Sequence, residues 1–273
     1  MNKVYFMGDI HQNFKPIRDL FQNLNLCIEK EMHPDISDTV VLLGDAGANF
    51  FFNYMDRNFK EKIGKYKFTY FIIRGNHEQR PSICAQIRPN EWETEEYFGN
   101  TVYVEKKYPY IKYALDYPAL YNIKGHPTMV FPGAYSVDKL YRIKNNLGWF
   151  EGEQLTEAEK KIGLKMIKDL PHTDIVLSHT CPKIYQPTDL FLSVIDQSLV
   201  DDSMERYLNE VEYNLGYKLW LFGHYHQLRI YPQYEDKQMI MLSKDAVIDL
   251  DKYFETKNPY DSLFYIKNLK EVD

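Results

Sequence analysis

Cysteine is scarce in this chain: Cys27, Cys84 and Cys181 are the three among 273 residues. They are too few and too scattered for a disulfide framework or a cysteine zinc cluster, and they suit a reducing cytoplasm, which is the expected location. Long hydrophobic runs are missing too. No apolar stretch approaches the roughly 20 residues needed to span a bilayer, and the N-terminus lacks the basic and apolar regions of a secretory signal, so no membrane association is expected. Nor is there an excess of basic charge, since 33 Lys and Arg stand against 39 Asp and Glu, for a formal net charge of −6. A nucleic-acid backbone is usually gripped by a basic face; nucleic acid is therefore not favoured as a partner, although a local basic groove would still allow it. Two stretches, "KEKIGKYKF" (60–68) and "EKKYPYIKY" (105–113), interleave lysine with aromatics as a single-strand stacking surface does. In an acidic chain they read more simply as solvated helix or hairpin faces. Internal repeats, low-complexity tracts and obvious linkers are also absent.

What is there is a core-forming composition, 44% hydrophobic and 26% charged, long enough for one large α/β domain. We read residues 1–273 as a single domain with a strand-rich insertion at about 80–150. The run "KVYFM" stops at "GD", "TVVLL" (39–43) stops at a second "GD", and "FTYFII" (68–73) stops at "RGNHE". Such runs, apolar throughout, are expected of strands covered on both faces. Helical spacing lies between the first two, at Ile17, Leu20, Phe21 and Leu24. The βαβ rhythm gathers loops at the carboxyl ends of strands, where α/β sheets build their sites. "DIVLSH" (174–179) and "YKLWLFGHYH" (217–226) repeat the arrangement. The intervening "TVYVE", "YIKYAL" and "PTMVFPG" look antiparallel, and Thr156 with Glu159 makes a capping box ahead of Ile162, Met166, Ile167 and Leu170. Three runs near the C-terminus, "QMIMLS", "AVIDL" and "SLFYI", read as further strands. Rhythm alone suggests a mostly parallel α/β sheet.

Five strand-end turns carry polar side chains: "GDIH" with Asp9 and His11, "GD" with Asp45, "GNHE" with Asn76 and His77, "SH" with His179, and "GHYH" with His224 and His226. Each alone has a simpler reading, because GD is an ordinary turn and Asn after Gly is good turn chemistry. Their joint occurrence points to a shared task. In extended backbone the side chains of His224 and His226, two residues apart, would lie on one face and reach one small region. Carboxylate oxygens with imidazole nitrogens suit borderline divalent ions such as Mn, Fe or Zn, and the lack of thiolates argues against a structural zinc finger. Two cations about 3.5–4 Å apart need a shared anionic bridge, and a water between them is acidified into a nucleophile. Phosphate is the natural substrate, because its oxygens can coordinate both ions.

The ordered set GDxH, GD, GNHE, H and GHxH, running from Gly8 to His226, resembles the calcineurin-like metallophosphoesterases. The resemblance implies a two-sheet β-sandwich of mixed strands flanked by helices (class α/β, or α+β) and two divalent metal ions. It assigns Asp9, His11 and His226 to the first metal, Asn76, His179 and His224 to the second, and Asp45 to the bridge. It implies hydrolysis of a phosphomonoester or phosphodiester by a metal-bridging hydroxide, with a phosphorylated small molecule or nucleotide as substrate. His77 matches the family histidine that protonates the leaving oxygen or stabilises its charge. Arg74 stands where the phosphoprotein phosphatase branch has a phosphate-binding arginine; a surface charge at a strand end is its plainer reading.

That branch continues its second motif as GDxVDRG, whereas "GDAGANF" has Ala48 and Asn49 in the places of the aspartate and arginine. This argues against a protein serine/threonine phosphatase and leaves the orientation of His77 to another group, with Glu78 one candidate. The segment "PGAYSVDKLYR" (132–142) is similar to GGAxSxDxxxR of bacterial and phage members. It suggests that Tyr135, Ser136 and Arg142 line the pocket, although Asp138 and Arg142, four apart, also suit a local ion pair. The alternatives are a nuclease or cyclic-nucleotide phosphodiesterase, and a non-catalytic interaction scaffold that keeps the fold. Oligomeric state is not legible.

Overall fold

A computed structural model of the protein describes residues 2–24 and 38–266. Cys27 and His33 lie outside the described residues. The three apolar runs of the first half form β1 (Val4–Met7), β2 (Thr39–Leu42) and β3 (Thr69–Ile72), paired in parallel with Val4 opposite Thr39 and Thr39 opposite Thr69. The runs lack hydrophobic alternation because both faces are covered. Val4 and Phe6 enter a core between two sheets, while Tyr5 and Met7 face outward onto helices.

Among the described residues two sheets form; the first has eight strands in the order β14-β13-β1-β2-β3-β6-β5-β4, with β4 (Trp92–Tyr97), β5 (Asn100–Glu105), β6 (Ile111–Tyr113), β13 (Ala246–Asp249) and β14 (Leu263–Tyr265). The second has six, in the order β11-β12-β10-β9-β8-β7, with β7 (Ala119–Ile123), β8 (His126–Phe131), β9 (Ile175–Ser178), β10 (Leu219–Phe222), β11 (Arg229–Ile230) and β12 (Gln238–Met241). The expected two-sheet sandwich of mixed strands is therefore what the chain forms. Strand rhythm alone missed the second sheet, because β9 and β10 pair with β8 and β12 instead of extending the first. Strands from the stretch expected as an insertion are members of the sheets themselves. β4–β6 complete the first and β7–β8 the second.

Val41, Phe71, Val130, Leu177 and Leu221 fill the space between the sheets. On the outer side of the first sheet, α1 (Lys15–Asn23) and α2 (Tyr54–Gly64) supply Ile17, Leu20, Phe59 and Ile63. Two further helices, α3 (Pro81–Ile87) and α4 (Lys139–Lys144), follow strand-end turns. α5 (Glu157–Asp169) and α6 (Ser203–Asn214) cover the second sheet through Ile167, Leu208 and Val211. α7 (Leu250–Thr256) and α8 (Pro259–Ser262) lead from β13 to β14. Each fully buried aliphatic or aromatic side chain contributes roughly 1.5–3 kcal/mol, so these three apolar layers fix the strand ends that carry the polar turns.

The capping box of Thr156 and Glu159 is present, but the apolar face of α5 is turned from the expected one. Ile162 is exposed, and Gly163 is buried so close to Tyr207 that a Cβ there would come within 2.0 Å of the phenol oxygen. Close approach to α6 through Gly163 rotates Ile162 to solvent. The two lysine-aromatic stretches are not wholly solvated either. Lys60 is buried against Glu105, and Lys112 pairs with Glu95 at 2.6 Å. No described helix is long and apolar enough to cross a membrane.

Candidate metal centre

The carboxyl ends of β1, β2, β3, β9 and β10 meet at one rim, and the polar turns that follow them converge there. Asp9 accepts the His224 backbone N–H on both carboxylate oxygens, at 3.0 and 2.9 Å, and its Oδ2 lies 3.4 Å from His226 Nε2. His11 Nε2 and His226 Nε2 are 3.0 Å apart. Asp45 Oδ2 stands between the two groups, 3.5 Å from His179 Nε2 and 3.9 Å from His11 Nε2, while its Oδ1 accepts the His77 N–H at 2.8 Å. Asn76 Oδ1 is 2.8 Å from His179 Nε2, and the His224 ring lies 4.9 Å from that of His179. All seven expected ligands are thus brought together. Two triples, Asp9–His11–His226 and Asp9–Asp45–His179, each offer donor atoms within 4.8 Å of one another. Neither described cysteine takes part; Cys84 and Cys181 are buried free thiols.

The means of convergence differs from the expected one. His224 and His226 are not on extended backbone: their φ values are 69° and 57°, and His11 and Asp45 share this left-handed region at 44° and 46°. Non-glycine residues rarely hold it, and such strain clusters at functional sites. Two glycines make the approach of the loops feasible. A Cβ on Gly223 would lie 2.1 Å from Asp9 Oδ1, and one on Gly75 would lie 2.0 Å from Asp45 Oδ1.

The donor set fits cations. His179 Nδ1 faces the Leu43 carbonyl at 2.8 Å and must donate to it, which leaves Nε2 directed at Asp45 and Asn76 Oδ1. Three oxygen atoms around one imidazole call for positive charge on its Nε2 side. A proton answers that demand, and so does a cation on the neutral ring. The same field acts on the proton: although burial opposes it, Asp45 and Asp9 carry the His179 pKa up to about 9. Burial, reinforced by His179, drives His224 down to about 3. Asp45 is held below the usual carboxylate range by His179, against its own burial.

His77 is half-buried beside this cluster, its ring 5.6 Å from His11 and 6.0 Å from Phe50, and burial lowers its pKa. Among the described residues its ring nitrogens have no hydrogen-bond partner. Glu78 does not orient it. The Glu78 carboxylate turns inward, accepts the N–H groups of Gly47 at 2.8 Å and Ala48 at 3.2 Å, and ties the "GDAGANF" turn to the "GNHE" turn. Burial first, and Asp45 next, raise its pKa to about 7. Asn49 accepts the Lys60 ammonium at 3.0 Å, away from the rim.

Arg74 requires a correction. It is 2% exposed and points into the protein, where Nη1 donates to the Glu153 carbonyl at 2.7 Å and Nε lies 3.8 Å from Asp116. Among the described residues its Nε and Nη2 have no hydrogen-bond partner, but they are enclosed with the rest of the guanidinium, which is therefore not open to a phosphate arriving from solvent. Its neighbour Glu153 is a residue that sequence reasoning missed. The buried Glu153 carboxylate accepts Ser136 Oγ at 2.6 Å and Trp149 Nε1 at 2.8 Å, and Ser136 Oγ in turn accepts Asn76 Nδ2 at 2.8 Å. No spacing rule links positions 76, 136 and 153, so no sequence signal marked this chain.

Two recesses open over the cluster and share His77, Asp138 and His226. One, of about 480 Å³, contains Arg142, whose Nε pairs with Asp138 at 2.7 Å. The other, of about 370 Å³, contains Tyr135 and Ser136 and runs beneath residues 186–200. Of the histidines outside the motifs, His126 is half-buried, stacked on Phe254 and paired with Asp174 at 2.8 Å, and His172 is exposed.

An α/β sandwich with carboxylates and imidazoles converging at the carboxyl ends of strands from both sheets gathers a set of candidate cation ligands where such folds build their sites. The chain belongs to the calcineurin-like phosphoesterase family, whose model matches residues 2–228. It is similar in structure to TT1561 of Thermus thermophilus, with 12% sequence identity and a TM-score of 0.54 over 97% of this chain and 99% of that one. Lesser likenesses are to the phosphopantetheinyl hydrolase of Mycobacterium tuberculosis (12% identity, TM-score 0.44, covering 100% and 98%) and to a dimetal phosphatase from Danio rerio (10% identity, TM-score 0.44, covering 91% and 95%). At such identities the likeness shows the fold alone. No curated protein matches the chain.

Proposed function

We propose that this protein is a dinuclear-metal phosphoester hydrolase acting on a phosphorylated small molecule or nucleotide. The observation that carries the reading is the meeting of two donor triples at Asp9, with Asp45 Oδ2 placed between His179 and His11. Asp9, His11 and His226 would hold one ion, Asn76, His179 and His224 the other, and Asp45 would touch both. When bound, such ions neutralise phosphate oxygens and acidify a water between them.

The rest falls to side chains. His77, on the wall of both recesses, would serve the departing oxygen by donating a proton or a hydrogen bond. Arg142, which lines the recess of about 480 Å³ with His11, His77 and His226, would supply a cation to the bound phosphate. Buried Asp9, Asp45 and His179 hold the donors rigid, so little reorganisation accompanies the reaction.

Metal analysis of the purified protein, then hydrolysis of nitrophenyl phosphate, bis-nitrophenyl phosphate and nucleotides with added Mn and after chelation, tests the proposal. Turnover that disappears with the metal is expected, and the ratio of the first two substrates separates monoesterase from diesterase. Full metal occupancy without turnover on a broad phosphoester panel would favour the non-catalytic scaffold.

A further inference from the structure

The two recesses over the cluster differ in chemistry. The one of about 480 Å³ has the Arg142 guanidinium. The other has no lysine or arginine among the described residues that line it. Its outer wall is the segment after β9, which supplies Leu190, Phe191, Leu192 and Ile195; Val200 lies farther along and Tyr135 opposite. Phe191 stacks on Tyr225, with ring planes 22° apart.

This wall is held in place. The Arg229 guanidinium grips Asp189 through both its terminal nitrogens, at 2.9 and 2.6 Å, and Tyr231 donates its hydroxyl to the Tyr185 carbonyl at 2.6 Å. The charged side chains here, beyond the candidate metal ligands, are acidic, and all are engaged. Asp138 pairs with Arg142, Asp201 accepts Gln154 and the Ser203 N–H, and Glu205 accepts the Thr180 hydroxyl at 2.7 Å.

We infer that this recess receives the organic group of the phosphoester, and that the group it selects is uncharged and apolar, of aryl or branched alkyl character. The inference rests on the hydrolase reading. A second phosphate placed there would meet carboxylates and no cation, and a polyhydroxylated group could pair some hydroxyls with Gln186 and Gln197 but would leave others against Leu190, Leu192, Ile195 and Val200 without partners. A volume of about 370 Å³ lies at the small end of ligand pockets, enough for a single ring with substituents. Continuity with Asp45, Asn76 and His77, which line the same recess, puts the ester oxygen at its mouth.

The test compares benzyl phosphate, glycerol phosphate and choline phosphate. All are esters of primary alcohols, so leaving-group ability is closely matched and the recess decides. With the Mn-loaded protein, kcat/KM for benzyl phosphate should exceed that for glycerol phosphate by about tenfold or more, the range that apolar pocket contacts supply. Leu192→Asp, a change at a position 60% exposed, should lower benzyl phosphate turnover at least about tenfold more than glycerol phosphate turnover. Calorimetric binding of benzylphosphonate against methylphosphonate gives a readout independent of catalysis.

Equal rates for benzyl and glycerol phosphate, or a preference for choline phosphate, would overturn the inference while leaving the hydrolase reading intact. If none of the three monoesters is hydrolysed but benzylphosphonate binds more tightly than methylphosphonate and Leu192→Asp removes the difference, the selection of an apolar group by the recess is supported, and the hydrolase reading is decided separately by the broad phosphoester panel. Absence of both turnover and preferential binding overturns the assignment too.

Discussion

Asn76 presents its amide nitrogen to Ser136 Oγ at 2.8 Å. The direction of that bond is fixed by a third group, since the Ser136 hydroxyl proton is committed to the Glu153 carboxylate, which can only accept. Ser136 must then accept from Asn76, and the Asn76 amide oxygen is turned toward His179. Ser136→Ala removes the acceptor and frees the amide to rotate. Loss of such a supporting contact typically weakens metal binding roughly 10–100-fold. The expected result in metal titration is a loss of that size at one site, with the site of Asp9, His11 and His226 little changed. Equal weakening of both sites, or of neither, would count against the assignment.

Much of this centre was legible because strands covered on both faces announce themselves as unbroken apolar runs, and a polar turn at the end of each is conspicuous. β1, β2, β3 and β9 fall within a residue of the quoted runs, and β10 (Leu219–Phe222) occupies the apolar part of "YKLWLFGHYH". What was not legible depends on contacts between distant turns. Two imidazoles two apart read as neighbours on a strand face, yet His224 and His226 sit on left-handed backbone, and their directions are set by the packing of Gly223 on Asp9. Arg74 beside "GNHE" reads as a surface cation, and its burial follows from the meeting of β3 with the turn after β8, where the Gly133 N–H donates to the Arg74 carbonyl at 2.8 Å. Glu153 lies in no motif. The second sheet escaped the strand rhythm because period and length cannot tell which sheet a buried strand joins.

Arg142 has three structural contacts, the half-exposed pair with Asp138, a 3.2 Å hydrogen bond to the Gly148 carbonyl and the Phe50 ring 5.9 Å from its guanidinium. An exposed pair four residues apart contributes little to stability, about 0–1 kcal/mol. A charged hydrogen bond to phosphate contributes about 1.5–3 kcal/mol, or roughly tenfold or more in affinity. Arg142→Ala should therefore raise KM by about tenfold or more and lower the melting temperature only slightly. Steady-state kinetics beside a thermal melt decide it: a large drop in melting temperature with unchanged KM would reduce Arg142 to a helix staple.

Glu205 on α6 gives a test of pH dependence that does not involve the candidate ligands. Its carboxyl is 4% exposed, and burial raises its pKa above the usual value despite the Thr180 hydroxyl bonded to it. A carboxyl that binds its proton more tightly in the folded state than in the unfolded chain makes the fold less stable as pH rises above the unfolded value of about 4.3. The destabilisation grows until pH passes the raised folded value and then stays constant. Glu205→Gln cannot ionise and keeps an oxygen that can accept from Thr180. Its melting temperature, measured in the presence of chelator so that metal binding does not intervene, should exceed that of the parent protein at pH 8. The advantage should shrink as pH falls toward 4, where the parent carboxyl is protonated in both states. An advantage that is constant with pH, or larger at pH 4, would show that Glu205 is held as a comfortable anion and that the wall of the second recess is less desolvated than its burial indicates.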